Sequence, residues 1–131
     1  MANELTKKHS QALVNTIEKG ELDALIKPLS QEIHLFDSYI AGTTHLEDKS
    51  VLEQIKEEDI LVLRREDNKY DSNAILVLTN DQRKVGYVPE KDNLIFARLM
   101  DAGKMLQAKI TDITLKGSFY QISIGIYLVD F

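Results

Sequence analysis

The sequence predicts a mainly β protein with helices (α+β), a small, partly open six-stranded β-barrel with two inserted helices behind an N-terminal helical leader. Three observations predict it. Tyr120, Ile122, Ile124, Ile126 and Leu128 keep an unbroken two-residue alternation, which places every apolar side chain on one face of an extended strand. Ile60 to Leu63 and Ala74 to Leu78 are short continuous apolar runs, the pattern of strands buried on both faces or closed into a barrel. Finally, a helical pattern interrupts the strand runs just before the last pair.

The elements follow in order. From Asn3 to Lys19 the apolar positions Leu5, Ala12, Leu13 and Ile17 fall roughly on a helical period, with Gly20 as the stop. Leu22, Leu25, Ile26 and Leu29 add a second short helical turn, ended at Pro28 because proline cannot continue the backbone ladder. Asn3 to Leu29 therefore reads as an amphipathic helical hairpin that lies on the barrel or on a partner. The expected domain division is a leader over residues 1–30 and a barrel over residues 31–131, with residues 33–131 able to fold alone.

Ile33 to Gly42 reads as the first strand, closed by Gly42 and two threonines. Ser50 and Glu53 have capping-box spacing, so a helix is expected there, with Leu52, Ile55 and Val51 on its buried side and a stop at Glu57, Glu58 and Asp59. Ile60 to Leu63 and Ala74 to Leu78 are the next strands, separated by the polar turn Glu66 to Asn73. Asn80 and Asp81 make a further turn, after which Lys84 to Val88 is a strand ending at Pro89. A helix is expected from about Lys91 to Ala102, with Leu94, Phe96, Ala97 and Met100 as core contacts and Gly103 as its stop. Ala108 and Ile110 share one phase of a strand alternation, whereas Ile113 and Leu115 share the other, which predicts a bulge near Thr111 and Asp112. A turn at Lys116 to Ser118 leads to the last strand, with Gly125 facing away from the apolar side.

Composition narrows the chemistry. There is no cysteine, which removes disulfides, thiolate metal sites and a cysteine nucleophile, and fits a reducing compartment. The first residues lack the apolar core of a signal peptide, and no run approaches the ~20 apolar residues needed to cross a bilayer, so a cytoplasmic protein without membrane contact is expected. The net charge of -5 opposes strong non-specific nucleic-acid binding. Residues 1–60 carry 6 Lys and Arg against 12 Asp and Glu, while residues 61–131 carry 10 against 9, so a nucleic-acid surface is expected in the second half.

His9, His34 and His45 lack the i, i+4 spacing of a helical zinc pair, and neither Glu57-Glu58-Asp59 nor Glu66-Asp67 has a third ligand or general base placed near it. No phosphate-cradling glycine loop or nucleophile elbow is present. The expectation is therefore no catalytic residue, no metal and no cofactor.

The stretch Leu63-Arg64-Arg65-Glu66-Asp67-Asn68-Lys69-Tyr70-Asp71-Ser72-Asn73-Ala74-Ile75, followed by Val85-Gly86-Tyr87-Val88-Pro89, resembles the HIRAN domain family over about residues 33–131. The family pattern is an apolar strand ending in Arg-Glu, then Asn-x-Tyr-Asp-x-Asn-Ala-Ile, then Ile or Val-Gly-Tyr-Val or Leu-Pro. Tyr39 to Gly42 resembles its first strand motif, and Phe119 falls at a late aromatic. The resemblance implies a barrel related to the OB-fold. It also implies binding of nucleic acid, because members within large eukaryotic DNA-remodelling ATPases capture the 3′ end of single-stranded DNA.

Carried over by position, Tyr39 and Tyr70 would stack on terminal bases, Asp71 would accept a hydrogen bond from the 3′ hydroxyl, Phe119 would wall the pocket and Tyr87 would stand where relatives carry a polar or aromatic ring. Ser38 replaces an arginine of the DNA-binding relatives, and Glu90 stands where they are basic, so binding is expected to be weak and salt-sensitive. Asn68, Asp71 and Asn73 are also residues that a tight turn uses for its own backbone, and Arg64 with Glu66 could form a surface pair. Three functions are thus open: a nucleic-acid-binding module, a protein-interaction or regulatory module whose acidic leader docks a partner, and, with least support, a metal-dependent hydrolase.

Overall fold

The computed structural model describes residues 31–130; the helical hairpin expected over Asn3 to Leu29 lies outside them. In chain order the elements are β1 (Gln31–Tyr39), a 3-10 turn (Thr43–His45), α1 (Val51–Gln54), β2 (Ile60–Arg65), β3 (Ile75–Leu78), β4 (Lys84–Tyr87), α2 (Asn93–Asp101), β5 (Leu106–Lys116) and β6 (Phe119–Asp130). The strands form one sheet in the order β1-β6-β5-β2-β3-β4, curled into an OB-like half-barrel. This is the mainly β architecture with two inserted helices that the apolar pattern implies.

The β5–β6 hairpin is the long wall of this sheet. Its two-residue connection contains Gly117 at φ 62, a left-handed conformation that glycine adopts without a Cβ penalty. Ile110 pairs with Ile124 and Asp112 with Ser123, so Thr111 is the extra residue of the expected bulge. Inside the wall, Ile122, Ile124 and Ile126 are fully buried against Leu61, Ile75, Val77, Val85, Ala108 and Ile110. On the outer face, Gly125 leaves room for the Tyr127 ring, which would lie 2.9 Å from a Cβ at position 125.

The sheet edges are β1 and β4, and one rung joins them. Ala41 N–H donates to Tyr87 O at 2.8 Å and Tyr87 N–H to Ala41 O at 2.9 Å. The barrel is therefore partly open and pinned at a single point. Gly86 makes that approach possible, because a Cβ there would lie 2.4 Å from the Ala41 carbonyl oxygen and 2.6 Å from Ile40 Cγ2.

Several expected details differ. β1 ends at Tyr39 rather than Gly42, because Ile40 turns inward to be buried and Ala41 leaves the strand to bridge Tyr87. The capping box at Ser50 does not form. Its hydroxyl donates to Asp48, two residues before it, and accepts from Arg83, a contact brought by the fold, and α1 is a single turn ending at Gln54. The second helix begins at Asn93, and its buried stripe is Asn93, Phe96 and Ala97, with Met100 partly buried; Leu94 is 49% exposed. Phe96, Ala97 and Met100 stand as expected, and the polar Asn93 takes the buried place expected of Leu94. The helix ends as expected: Lys104 N–H donates to Leu99 O and Gly103 N–H to Met100 O, with Gly103 at φ 91. Among the described residues, no helix is long and apolar enough to cross a membrane.

Candidate nucleic-acid interface

The loop between β2 and β3 is built by its own polar side chains. Asn68 Oδ1 accepts from Tyr70 N–H at 2.8 Å and Asp71 Oδ1 from Asn73 N–H at 2.9 Å, two successive side-chain turns. Arg65 holds the loop from beneath: its guanidinium donates to the carbonyls of Ala74 at 2.7 Å and Ser72 at 2.9 Å, and to Asp101 at 2.9 Å. Glu66 Oε1 accepts from the Tyr87 hydroxyl at 2.8 Å and from Asn68 Nδ2 at 2.9 Å. The suggested Arg64–Glu66 pair does not form, since Arg64 donates to Gln82 on the neighbouring turn. Asp71 Oδ2 accepts from Asn93 Nδ2 at 2.8 Å, and Asn93 is only 2% exposed at the start of α2. The carboxylate is therefore fixed on both oxygens, yet each retains a further lone-pair site.

Two depressions adjoin at the Ala41–Gly42 segment, the first of them beside this loop. One, of about 250 Å³, is lined by Asn68, Asp71, Tyr87 and Glu90. The other, of about 410 Å³, is lined by Tyr39, Phe119, Tyr120 and Lys116. They share Ala41 and Gly42, the segment pinned by the Tyr87 rung. The structure thus brings Asp71 and Tyr87 together on one side of that wall, and Tyr39 and Phe119 on the other. Tyr70 lines neither; it is 83% exposed at the loop tip, with Lys69 Nζ 5.1 Å from its ring centroid.

Sequence reasoning missed the cations and the anchor. Lys91 Nζ lies 5.4 Å from the Tyr39 ring centroid and Lys84 Nζ 4.5 Å from that of Tyr87. Ser38, which lacks the arginine of DNA-binding relatives, donates to Asp92 at 3.0 Å. Lys91 thus supplies a positive charge beside Tyr39, only one residue from the unfavourable Glu90, and only the path of the chain into α2 reveals it. Lys116 could have been found, because the two-residue hairpin pairs it directly with Phe119. Among the described residues, no three of His, Asp and Glu are grouped as a metal ion would require.

The Arg65 hydrogen bond holds the Asp101 carboxyl below its ordinary value of 3.8. A carboxyl with a lowered folded-state value adds stability at and above the unfolded value and loses it as pH falls through the folded one. The Arg65–Asp101 contribution is therefore present at neutral pH and disappears below about pH 4. Asp101→Asn should lower stability at pH 7 and flatten its decline on acidification, as read by urea midpoints across pH 2–7. Parallel curves for the variant and the parent would contradict this.

A model of the HIRAN domain matches residues 33–129. Among solved structures, a Lactobacillus plantarum protein superposes with a TM-score of 0.72 at 25% identity, covering 78% of this chain and 99% of its own. The HIRAN domain of human HLTF superposes with a TM-score of 0.62 at 16% identity, covering 77% of this chain and 79% of its own, a likeness of fold. No curated protein matches the sequence. The match spans the half-barrel, the β2–β3 loop and the Gly86 closure described above, and the chain belongs to the HIRAN domain family.

Proposed function

We propose that the chain is a nucleic-acid-binding module that captures the 3′ end of single-stranded DNA with Tyr39, Tyr70, Asp71, Tyr87 and Phe119. HIRAN domains are known as DNA-binding modules, binding rather than catalytic in character. The observation that carries the reading is the meeting of an anchored carboxylate and two aromatic walls across the Ala41–Gly42 segment.

In this reading a terminal base stacks on the half-exposed rings of Tyr39 and Phe119, each stacked base contributing ~1–3 kcal/mol whatever its identity. The terminal ribose turns over Gly42 toward Asp71, where the open lone pairs accept the 3′ hydroxyl. Lys91 beside Tyr39 adds cation–π contact and attracts the adjoining phosphate. Tyr70 closes over the end from the loop tip.

Fluorescence anisotropy with a short single strand bearing a 3′ hydroxyl tests the module. Micromolar affinity at low salt that weakens as salt rises is expected, because the attraction to phosphates comes from few cations on a chain of net charge -5. Tyr39→Ala should weaken binding by about 1–3 kcal/mol at either salt concentration, since stacking is not screened. Absence of binding at low salt would overturn the reading and leave a protein partner as the better one.

A further inference from the structure

We infer that a strand held by its 3′ end leaves the site along a groove running from Tyr39 past Phe119 to Lys49, so that the 5′ flank of a single strand is bound as well as its terminus. The inference rests on the end-capture reading above.

Three depressions form one continuous track. The Asp71–Tyr87 depression shares Ala41 and Gly42 with the Tyr39–Phe119 depression. The latter shares Thr43, Thr44, Phe119 and Tyr120 with a third depression of about 190 Å³ that reaches Lys49. The segment from Ala41 to Thr44, which carries the closing rung and begins the 3-10 turn, therefore borders all three depressions in turn.

The chemistry along the track changes in the order a strand would require. Its Asp71 end is lined by two carboxylates, Asp71 and Glu90, which suit a hydroxyl and repel a phosphate. Lys84 lies against the Tyr87 ring at this end without lining the depression. The other cations follow beyond it, with Lys91 at Tyr39, then Lys116 beside Phe119, then Lys49 with the two threonine hydroxyls. A strand entering with its 3′ hydroxyl first presents no phosphate at the terminus and one at each nucleotide behind it. Glu53 at the far end is the one acid lining the third depression, and Lys49 stands beside it in the same wall. Phe119, 44% exposed, faces both the second and third depressions and offers a stacking surface between them.

The test uses the full chain and oligothymidylates of two, four and eight nucleotides, each with a 3′ hydroxyl, read by anisotropy at several salt concentrations. Affinity should rise with length, and the salt dependence should steepen. The variant Lys49→Glu alters one exposed side chain that lines the third depression and neither part of the end pocket. It should bind the dinucleotide as the parent does, yet lose part of the gain with length, its log–log salt slope for the eight-nucleotide strand falling by about 0.7, the contribution of one phosphate contact to a single strand. Equal affinity for all lengths, or a Lys49→Glu variant weakened equally on the dinucleotide and the longer strands, would overturn the groove while leaving end capture standing. A parent protein that binds none of the strands would overturn both.

Discussion

Gly86→Ala is expected to destabilise the fold by about 2–6 kcal/mol and to abolish ligand binding with it. A Cβ at this position would lie 2.4 Å from the Ala41 carbonyl oxygen and 2.6 Å from Ile40 Cγ2. The nearer atom is backbone, and Ile40 is itself 4% exposed, so neither can swing aside as a surface side chain would. Relief requires the Ala41 segment to move away from β4. That breaks the two hydrogen bonds of the closing rung, which contribute about 0.5–1.5 kcal/mol each, and adds the ~1–3 kcal/mol that overpacking costs in a filled core. The same segment is the wall shared by the Asp71 and Tyr39 depressions, so its displacement should take the two halves of the site out of register. Urea denaturation measures the first effect, and anisotropy under conditions where the variant remains folded measures the second. A variant as stable as the parent would mean that the sheet edges are not joined at this rung.

What was legible in the chain followed from interactions close in sequence. The alternation of Ile122, Ile124 and Ile126 gives the buried face of β6, and the phase change between Ile110 and Ile113 gives the bulge, because side chains on a strand have a strict period of two. Gly103 and the Gly117 turn were equally visible, each demanding a left-handed residue. The misjudged features depend on partners distant in sequence. Arg83 engages Ser50 together with its near neighbour Asp48 and draws it away from its helix, and Ala41 leaves β1 because Tyr87 is within reach. The buried stripe of α2 begins with Asn93, whose amide is satisfied by Asp71 from 22 residues away, so hydrophobicity alone placed Phe96, Ala97 and Met100 correctly but put Leu94 where Asn93 is buried.

The candidate site shows the same division. The motif from Arg65 to Asn73 can be recognised in the sequence, and much of it serves the loop itself: Arg65 clamps Ser72 and Ala74, Glu66 holds Tyr87, and Asn68 and Asp71 cap their own turns. Turn chemistry and ligand chemistry are not exclusive here. The hydrogen bonds that make the loop rigid also fix the direction of the Asp71 carboxylate, which pre-organises an acceptor. The positions of Lys91 and Asn93 could not be read in advance, because both depend on how α2 enters the core against the β2–β3 loop.

A strand ending in a 3′ phosphate is expected to bind about 10- to 150-fold more weakly than the same strand ending in a 3′ hydroxyl. The hydroxyl can donate to a lone pair of Asp71 left open by Asn73 and Asn93, and a hydrogen bond to a charged group contributes about 1.5–3 kcal/mol, where 1.4 kcal/mol is tenfold. A terminal phosphate replaces that donor with negative charge facing both Asp71 and Glu90, which line the same depression. Asp71→Ala should erase the preference while keeping the stacking contribution of Tyr39, whereas Tyr70→Ala should weaken both kinds of end together. Because alanine also removes the cap to Asn73 and the partner of Asn93, Asp71→Asn better separates charge from architecture: its amide oxygen can still cap the turn and its amide nitrogen can donate to a reversed Asn93 amide, and it should reduce discrimination against the phosphate without unfolding the loop. Anisotropy with matched strands, alongside urea midpoints for each variant, reads these effects. Equal affinity of the parent for the two ends would exclude capture through the carboxylate, and preserved discrimination in a folded Asp71→Asn variant would place its source in Glu90 instead.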